Sequence, residues 1–313
     1  MTTLDEIVRR YREHPGLGAK RPLRIVREAL GPSDAVTGPG DDAAAIKHGD
    51  GHLLVAGEAM WPPFAEADPF GAGAAAVVAN VNDVAAMGGR PLAIVDTIVG
   101  PEEDARRALE GMGWAADLYG VPVVGGHLTV AKGPPSISAF VAGRARTLLS
   151  ATRVAPGQVL LVACCREGRM REDFPFFSSL RERGERLRDD VAVLADVAEG
   201  DLAEAAKDVS MAGFLGSLAM LLEPTRAGAT VDLDAMPRPE GVANEDWAGA
   251  FPTYGFWLTA RPEAAEDCRD AFLSRGLASE LVGELDDTGV LRVRFAGEVG
   301  DLADLARDPP TGL

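Results

Sequence analysis

The chain has 313 residues and a formal charge of −17, from 48 acidic and 31 basic side chains, with 47% hydrophobic and 25% charged residues. That length suits two domains of about 150 residues each, and the composition excludes wholesale disorder. So negative a surface repels phosphate backbones and anionic lipid, which argues against nucleic-acid and membrane-surface roles. A small substrate or a nucleotide stays open, because a few local cations or a metal reverse the sign at one site.

The first helical pattern covers about residues 3–13 and is charged (LDEIVRRYRE), so it does not read as a signal peptide. A second follows at about 21–30, and residues 31–42 are rich in Gly, Pro, Ser and Asp and read as loop. Strands are expected at 43–47 and 53–57, joined by the turn signal His48-Gly49-Asp50-Gly51. Residues 68–87 read as a helix that breaks at Gly88-Gly89-Arg90-Pro91. A strand at 92–99 and a helix at 101–118 come next, the helix with Pro101 at its start and acids just behind it. Short strands are expected at 121–124 and 136–143.

The Pro156-Gly157 region marks a boundary, giving domains 1–150 and 151–313. The second half opens with a strand at 159–163, followed by a highly charged stretch over 166–190 around Phe174-Pro175-Phe176-Phe177. Within it, Arg181 to Arg188 alternates with Glu and reads as a solvated helix face. A helix at 211–223, strands at 229–233, 254–260, 281–285 and 290–295, and a helix at 263–275 complete the chain. Strands and helices mix without regular βαβ alternation, which predicts an α+β fold. The three cysteines, Cys164, Cys165 and Cys268, show neither a disulfide framework nor a zinc spacing. No apolar run reaches the ~18 residues of a membrane helix, so a cytoplasmic protein is expected.

Five segments have the residue types for chemistry. Gly38-Pro39-Gly40-Asp41-Asp42 combines backbone freedom with adjacent hard oxygen ligands, and reads either as a ligand loop or as an acidic turn. Asn80-Val81-Asn82-Asp83 places two amides and a carboxylate in an otherwise apolar helix. There they must be paired internally or hold a metal or phosphate. Gly125-Gly126-His127-Leu128-Thr129 follows a strand, where backbone can reach phosphate and a histidine can donate, accept or ligate. Lys207-Asp208-Val209-Ser210-Met211-Ala212-Gly213 leads into an apolar helix, and the stronger reading makes Asp208 or Ser210 simply its N-cap. Gly16-Leu17-Gly18-Ala19-Lys20 is a glycine-rich loop ending in a cation, without P-loop spacing. Trp61-Pro62-Pro63-Phe64 is a stiff aromatic segment, suited to edge packing or to lining a pocket.

In this order, the segments resemble the superfamily of aminoimidazole ribonucleotide synthetase, thiamine-monophosphate kinase, hydrogenase-maturation carbamoyl dehydratase and selenophosphate synthetase. The likeness spans most of residues 16–285. It is carried by Gly40–Ala44, the strand acid Glu58, the run from Asp68 through Asn80 and Asp83 to Pro91, Gly125-Gly126-His127, and Asp208-Val209-Ser210 leading to Phe214-Leu215-Gly216. The resemblance implies a two-domain α+β protomer with a C-terminal α/β sandwich. It also implies a homodimer whose N-terminal sheets combine into a barrel, with ATP at the dimer-related cleft and Mg²⁺ held by acids. On this mapping the metal residues are Asp41, Asp42, Glu58, Asp83 and Asp208. The nucleotide contacts are Gly38, Gly40, Asp41, Asn80, Asp83, Gly125, Gly126 and Thr129, and Lys20, His127 and Asp208 are catalytic. The implied activity is ATP-dependent phosphoryl transfer to a small molecule. The alternatives are a non-catalytic ATP-binding homologue, a thiamine-monophosphate kinase or a selenophosphate synthetase. Leu17 and Ala19 stand where selenophosphate synthetases carry a reactive cysteine or selenocysteine. Thiamine-monophosphate kinases have Ser-Asp-Gly at Ser210-Met211-Ala212-Gly213 and Asp at His127, and Glu58 replaces the usual Asp.

Overall fold

The structure, a computed structural model, describes residues 2–31, 37, 40–172 and 174–313. Five strands come first: β1 (Ala44–His48), β2 (Gly51–Ala59), β3 (Arg90–Gly100), β4 (Val123–Val130) and β5 (Ser136–Ala145). They form one sheet in the order β1-β2-β5-β3-β4, antiparallel except for the β3–β4 pair. Among the described residues the sheet is open, with β1 and β4 at its edges, and this single chain closes no barrel.

Two long helices cover its inner face. Pro69–Ala86 starts on the Asp68 carboxylate, which accepts from the backbone N–H of Gly71 at 2.9 Å, and has Pro at its first position. It ends ahead of Gly88, whose φ of +72° few other residues adopt. Glu102–Tyr119 carries three acids in its first turn and stops at Gly120 in the left-handed region. The helices cross at glycines: a Cβ on Gly73 would lie 2.0 Å from Ala108 O, and one on Gly111 2.0 Å from Phe70 O. The outer sheet face differs. Val55, Val95, Val124 and Phe140 are all exposed there, an unusual density of apolar side chains for a surface.

The rest of the chain supplies β6 (Val159–Cys164), β7 (Arg169–Met170), β8 (Phe176–Ser178), β9 (Ala205–Asp208), β10 (Gly228–Asp232), β11 (Phe251–Pro252), β12 (Gly255–Ala260), β13 (Ala278–Asp286), β14 (Val290–Phe295) and β15 (Glu298–Asp304). Seven of them form a mixed sheet in the order β15-β14-β10-β13-β6-β12-β9, and β11-β8-β7 form a small separate one. The unbroken apolar run of β6 is explained by burial on both faces. Leu161 and Ala163 point into a core shared with the helices Arg186–Glu199 and Ala265–Leu273 and with the N-terminal sheet. Leu160, Val162 and Cys164 point into a second core against the helix Gly213–Leu222. All three cysteines are free and buried.

Leu4, Ile7, Tyr11 and Leu17 pack in that second core, although chain order places them in the first half. Of the Arg181–Arg188 segment expected as a solvated face, Arg181, Glu185, Arg186 and Arg188 are exposed, and Arg183 departs from it. Arg183 is buried and bidentate to Asp190, at 2.8 and 2.6 Å, so one charge is neutralised by another within the fold. Among the described residues no helix is long and apolar enough to cross a membrane.

Candidate functional site

A cavity of about 210 Å³ lies where the two halves meet, lined by Lys20, Asp42, Glu58, Asp83, Lys207 and Asp208 among others. They come from several separate local structures. Asp42 precedes β1 and Glu58 sits near the end of β2. Asp83 is carried by the last turn of the Pro69–Ala86 helix, whose small apolar side chains let it sink against the sheet. Lys207 and Asp208 end β9. Asp208 is therefore a strand-end residue. The helix after it is preceded by Ala212 at the N-cap, with no side-chain cap, so neither Asp208 nor Ser210 caps it.

One carboxylate oxygen from each of Asp42, Asp83 and Asp208 lies within 4.8 Å of the others. An octahedral ion with bonds of about 2.1 Å needs ligand oxygens about 3–4 Å apart, so the three need to close only slightly. Lys207 Nζ binds Asp42 Oδ1 and stands 3.4 Å from Asp208 Oδ1. Asp208 N donates to Asp42 Oδ2 at 2.9 Å. Four acids, Asp42, Glu58, Asp83 and Asp208, thus face two ammoniums, a local excess of negative charge in a buried place.

The electrostatics follow from that excess. Burial, then the neighbouring Asp208, Asp42 and Glu58, push the Asp83 carboxyl well above the usual carboxylate range. Asp208 is raised to about 7 by burial and by Asp42, against the pull of Lys207. Glu58 is raised by burial, with Lys20 and Lys207 opposing. Burial would lower the Lys207 ammonium, but Asp42 and Asp208 more than offset it and keep it charged. A divalent cation would relieve this mutual repulsion, and an all-oxygen donor set suits Mg²⁺.

The other expected residues divide between this cavity and places away from it. Asp41 lines the cavity, yet its two oxygens accept from Ser150 Oγ and Ala151 N, both at 2.7 Å, and it lies outside the three-carboxylate group. Gly40 lines the same cavity at φ +120°, and Gly38 falls outside the described residues. Asn80 is fully buried and spends its amide on Ala76 O (2.8 Å) and Ala139 O (3.2 Å), which ties the helix to β5. Its neighbour Asn82 donates across to Thr253 O at 3.0 Å. Gly125, Gly126, His127 and Thr129 are all exposed on β4, an edge strand running through the two glycines, and are absent from the cavity lining. Among the described residues His127 Nε2 meets only Thr129 Oγ1, at 3.3 Å. Gly126 does have a packing role: a Cβ there would lie 2.2 Å from the buried carboxylate of Asp96.

Three contributors carry more of the site than motif reading assigned them. Lys207 was readable only as a lysine before an acid, yet it supplies the counter-charge. Thr311 and Leu313 also line the cavity, held there by Glu223, which accepts from Thr311 N (3.0 Å) and Gly312 N (2.7 Å).

Comparison with known proteins bears on the family and the fold. A family model described as AIR synthase related protein, N-terminal domain, matches residues 40–145, and its C-terminal counterpart matches 166–296. The chain is 35% identical over 277 residues to an uncharacterized protein of Synechocystis sp., covering 88% of this chain and 86% of that one. Its fold matches T. maritima PurL complexed with ADP at a TM-score of 0.77 and 22% identity, covering 89% of this chain and 47% of the other. The chain thus spans about half the length of that PurL. It also matches AaThiL complexed with AMPPCP and TMP at a TM-score of 0.69 and 18% identity, covering 88% and 93%. The chain belongs to the AIR synthase-related family.

Proposed function

We propose that this member of the AIR synthase-related family is an ATP- and Mg²⁺-dependent phosphotransferase or synthetase acting on a small molecule. The observation that carries the reading is the convergence of Asp42, Asp83 and Asp208 beside Lys207, in a cavity built by both halves of the chain. Two proteins sharing this fold were solved with adenine nucleotides or an analogue, one of them also with TMP.

In this reading Asp42, Asp83 and Asp208 hold Mg²⁺, with Glu58 and Asp41 beside them, and the metal neutralises phosphate charge when bound. Phosphoryl transfer needs positioning and charge neutralisation more than a protein nucleophile. Lys20, from the segment after the first helix, reaches the same cavity and offers a cation for the phosphates. Lys207 is committed to Asp42 and Asp208, so its work is to hold those two carboxylates in place rather than to meet the substrate.

The same proposal makes the protein a homodimer. The exposed apolar face bearing Val55, Val95, Val124 and Phe140 is the surface such a dimer would cover. It adjoins β4, which brings Gly125, Gly126, His127 and Thr129 to the boundary between protomers.

The test is a calorimetric titration with Mg²⁺-ATP, followed by a small-molecule screen scored by ATP consumption, with Asp83→Asn as control. Saturable binding and a hit that fails with the variant support the reading. No binding at millimolar nucleotide sinks it.

A further inference from the structure

A second, differently built pocket lies on the other end of the Pro69–Ala86 helix. It has a volume of about 220 Å³, and its floor is Gly71, Ala74 and Ala75, whose missing or small side chains leave the space. Its walls are aromatic. Phe174 stacks on Phe64 with centroids 5.9 Å apart and planes 18° from parallel, and meets Phe251 edge-on at 5.2 Å. Trp114 closes the far side against Phe70 at 5.7 Å. Trp61, half exposed, extends the stack outward over Phe174, so the stiff aromatic segment of the sequence does line a pocket.

Two guanidiniums border these rings. Arg171 lies 5.4 Å over Phe64 and binds Asp68 Oδ2 at 3.2 Å. Arg181 lies 5.8 Å over Trp114, is exposed, and meets no carboxylate among the described residues. That places a cation without a described acid at the mouth of an aromatic slot. Flat apolar walls select a planar ring, and an uncommitted guanidinium selects an anion. The volume admits one ring system with a short substituent.

We propose that this pocket binds a small aromatic molecule carrying a phosphate or carboxylate, held by stacking on Phe64 and Phe174 and by an ion pair with Arg181. As the acceptor class for the reaction, this rests on the phosphotransferase reading; as a binding site, it stands alone. Ala75 and Asp83 are eight residues apart on one helix, about 12 Å along its axis, so the pocket is separate from the carboxylates but on the element that carries one of them.

The probe is phenyl phosphate, titrated into the full chain without nucleotide or Mg²⁺ and read by tryptophan fluorescence, since Trp61 and Trp114 adjoin the pocket. Saturable quenching is expected, with phenol and inorganic phosphate each at least about tenfold weaker. Arg181→Gln, a change at an exposed position, should weaken phenyl phosphate about tenfold and leave phenol unchanged. Phe174→Leu should weaken both aromatic probes. Phenyl phosphate binding no tighter than phosphate, or unaltered by Arg181→Gln, overturns the proposal. If Mg²⁺-ATP binds and phenyl phosphate does not, this pocket alone is refuted. If phenyl phosphate binds and Mg²⁺-ATP does not, the phosphotransferase reading falls and the pocket stands.

Discussion

Asp42 and Asp208, 166 residues apart, are joined by a 2.9 Å hydrogen bond from the backbone N–H of Asp208 to Asp42 Oδ2. The same Asp42 takes the Lys207 ammonium on its other oxygen. The two halves are thus docked through the very groups that crowd negative charge together.

Removing the counter-charge should expose that crowding. Lys207→Met leaves Asp42, Asp83 and Asp208 buried without their shared cation, and should cost about 3–5 kcal/mol in metal-free protein. Millimolar Mg²⁺ should recover part of the loss, so that the variant gains more from the ion than the parent does. Urea unfolding with and without Mg²⁺ measures both quantities, and equal gains would contradict the metal assignment.

Asp83→Asn should act in the opposite direction. It deletes a buried like charge, so metal-free protein should be as stable or more stable, while the response to Mg²⁺ is lost. Thermal melts across a Mg²⁺ series separate the two effects.

The acid cluster also sets a pH dependence. Asp208, near 7, and Asp41, near 6, titrate in the fold above an ordinary Asp, chiefly through burial. Between their unfolded values, about 3.9, and these folded ones, the folded chain holds more protons than the unfolded chain. Its stability therefore falls as pH rises through that window. Metal-free protein should melt at progressively lower temperature from about pH 5 to 7, and saturating Mg²⁺ should flatten the trend. A melting temperature that climbs over this range without metal would contradict it.

Much of this site was legible because it is local. Asp68 before Pro69, Gly88 after Met87 and the amide–carboxylate run at 80–83 are short-range signals, and the helix they predicted at 68–87 is found at Pro69–Ala86. What failed was decided by distant contacts. Gly125-Gly126 reads as the end of a strand, but pairing with β3 carries β4 on to Val130 and puts His127 on an exposed edge. Ala205–Asp208 reads as the approach to a helix, yet β12 recruits it as a strand. Arg183 reads as surface charge until Asp190, one helix on, takes it inside.

The crossing of the two long helices makes a purely mechanical prediction. Gly111→Ala must push the backbone at Phe70 away, because a Cβ would otherwise sit 2.0 Å from its carbonyl oxygen. The cost should be about 1–3 kcal/mol at least, read by urea unfolding.

On the outer sheet face, Phe140→Asp places a charge among Val55, Val95 and Val124, at a position 46% exposed in the single chain. Sedimentation velocity should show the parent as a dimer and the variant as a monomer with unchanged circular dichroism. A monomeric parent would contradict the dimer.

The backbone amides of Thr311 and Gly312, pinned to Glu223 at the rim of the carboxylate cavity, amount to a native gauge of its occupancy. Their proton resonances and exchange rates belong to residues outside every catalytic assignment, so they can register a ligand's arrival without a substitution or a label in the site. A nucleotide that enters the cavity must either share its rim with this segment or displace it, and the two cases leave opposite marks on those amides: added protection, or its loss.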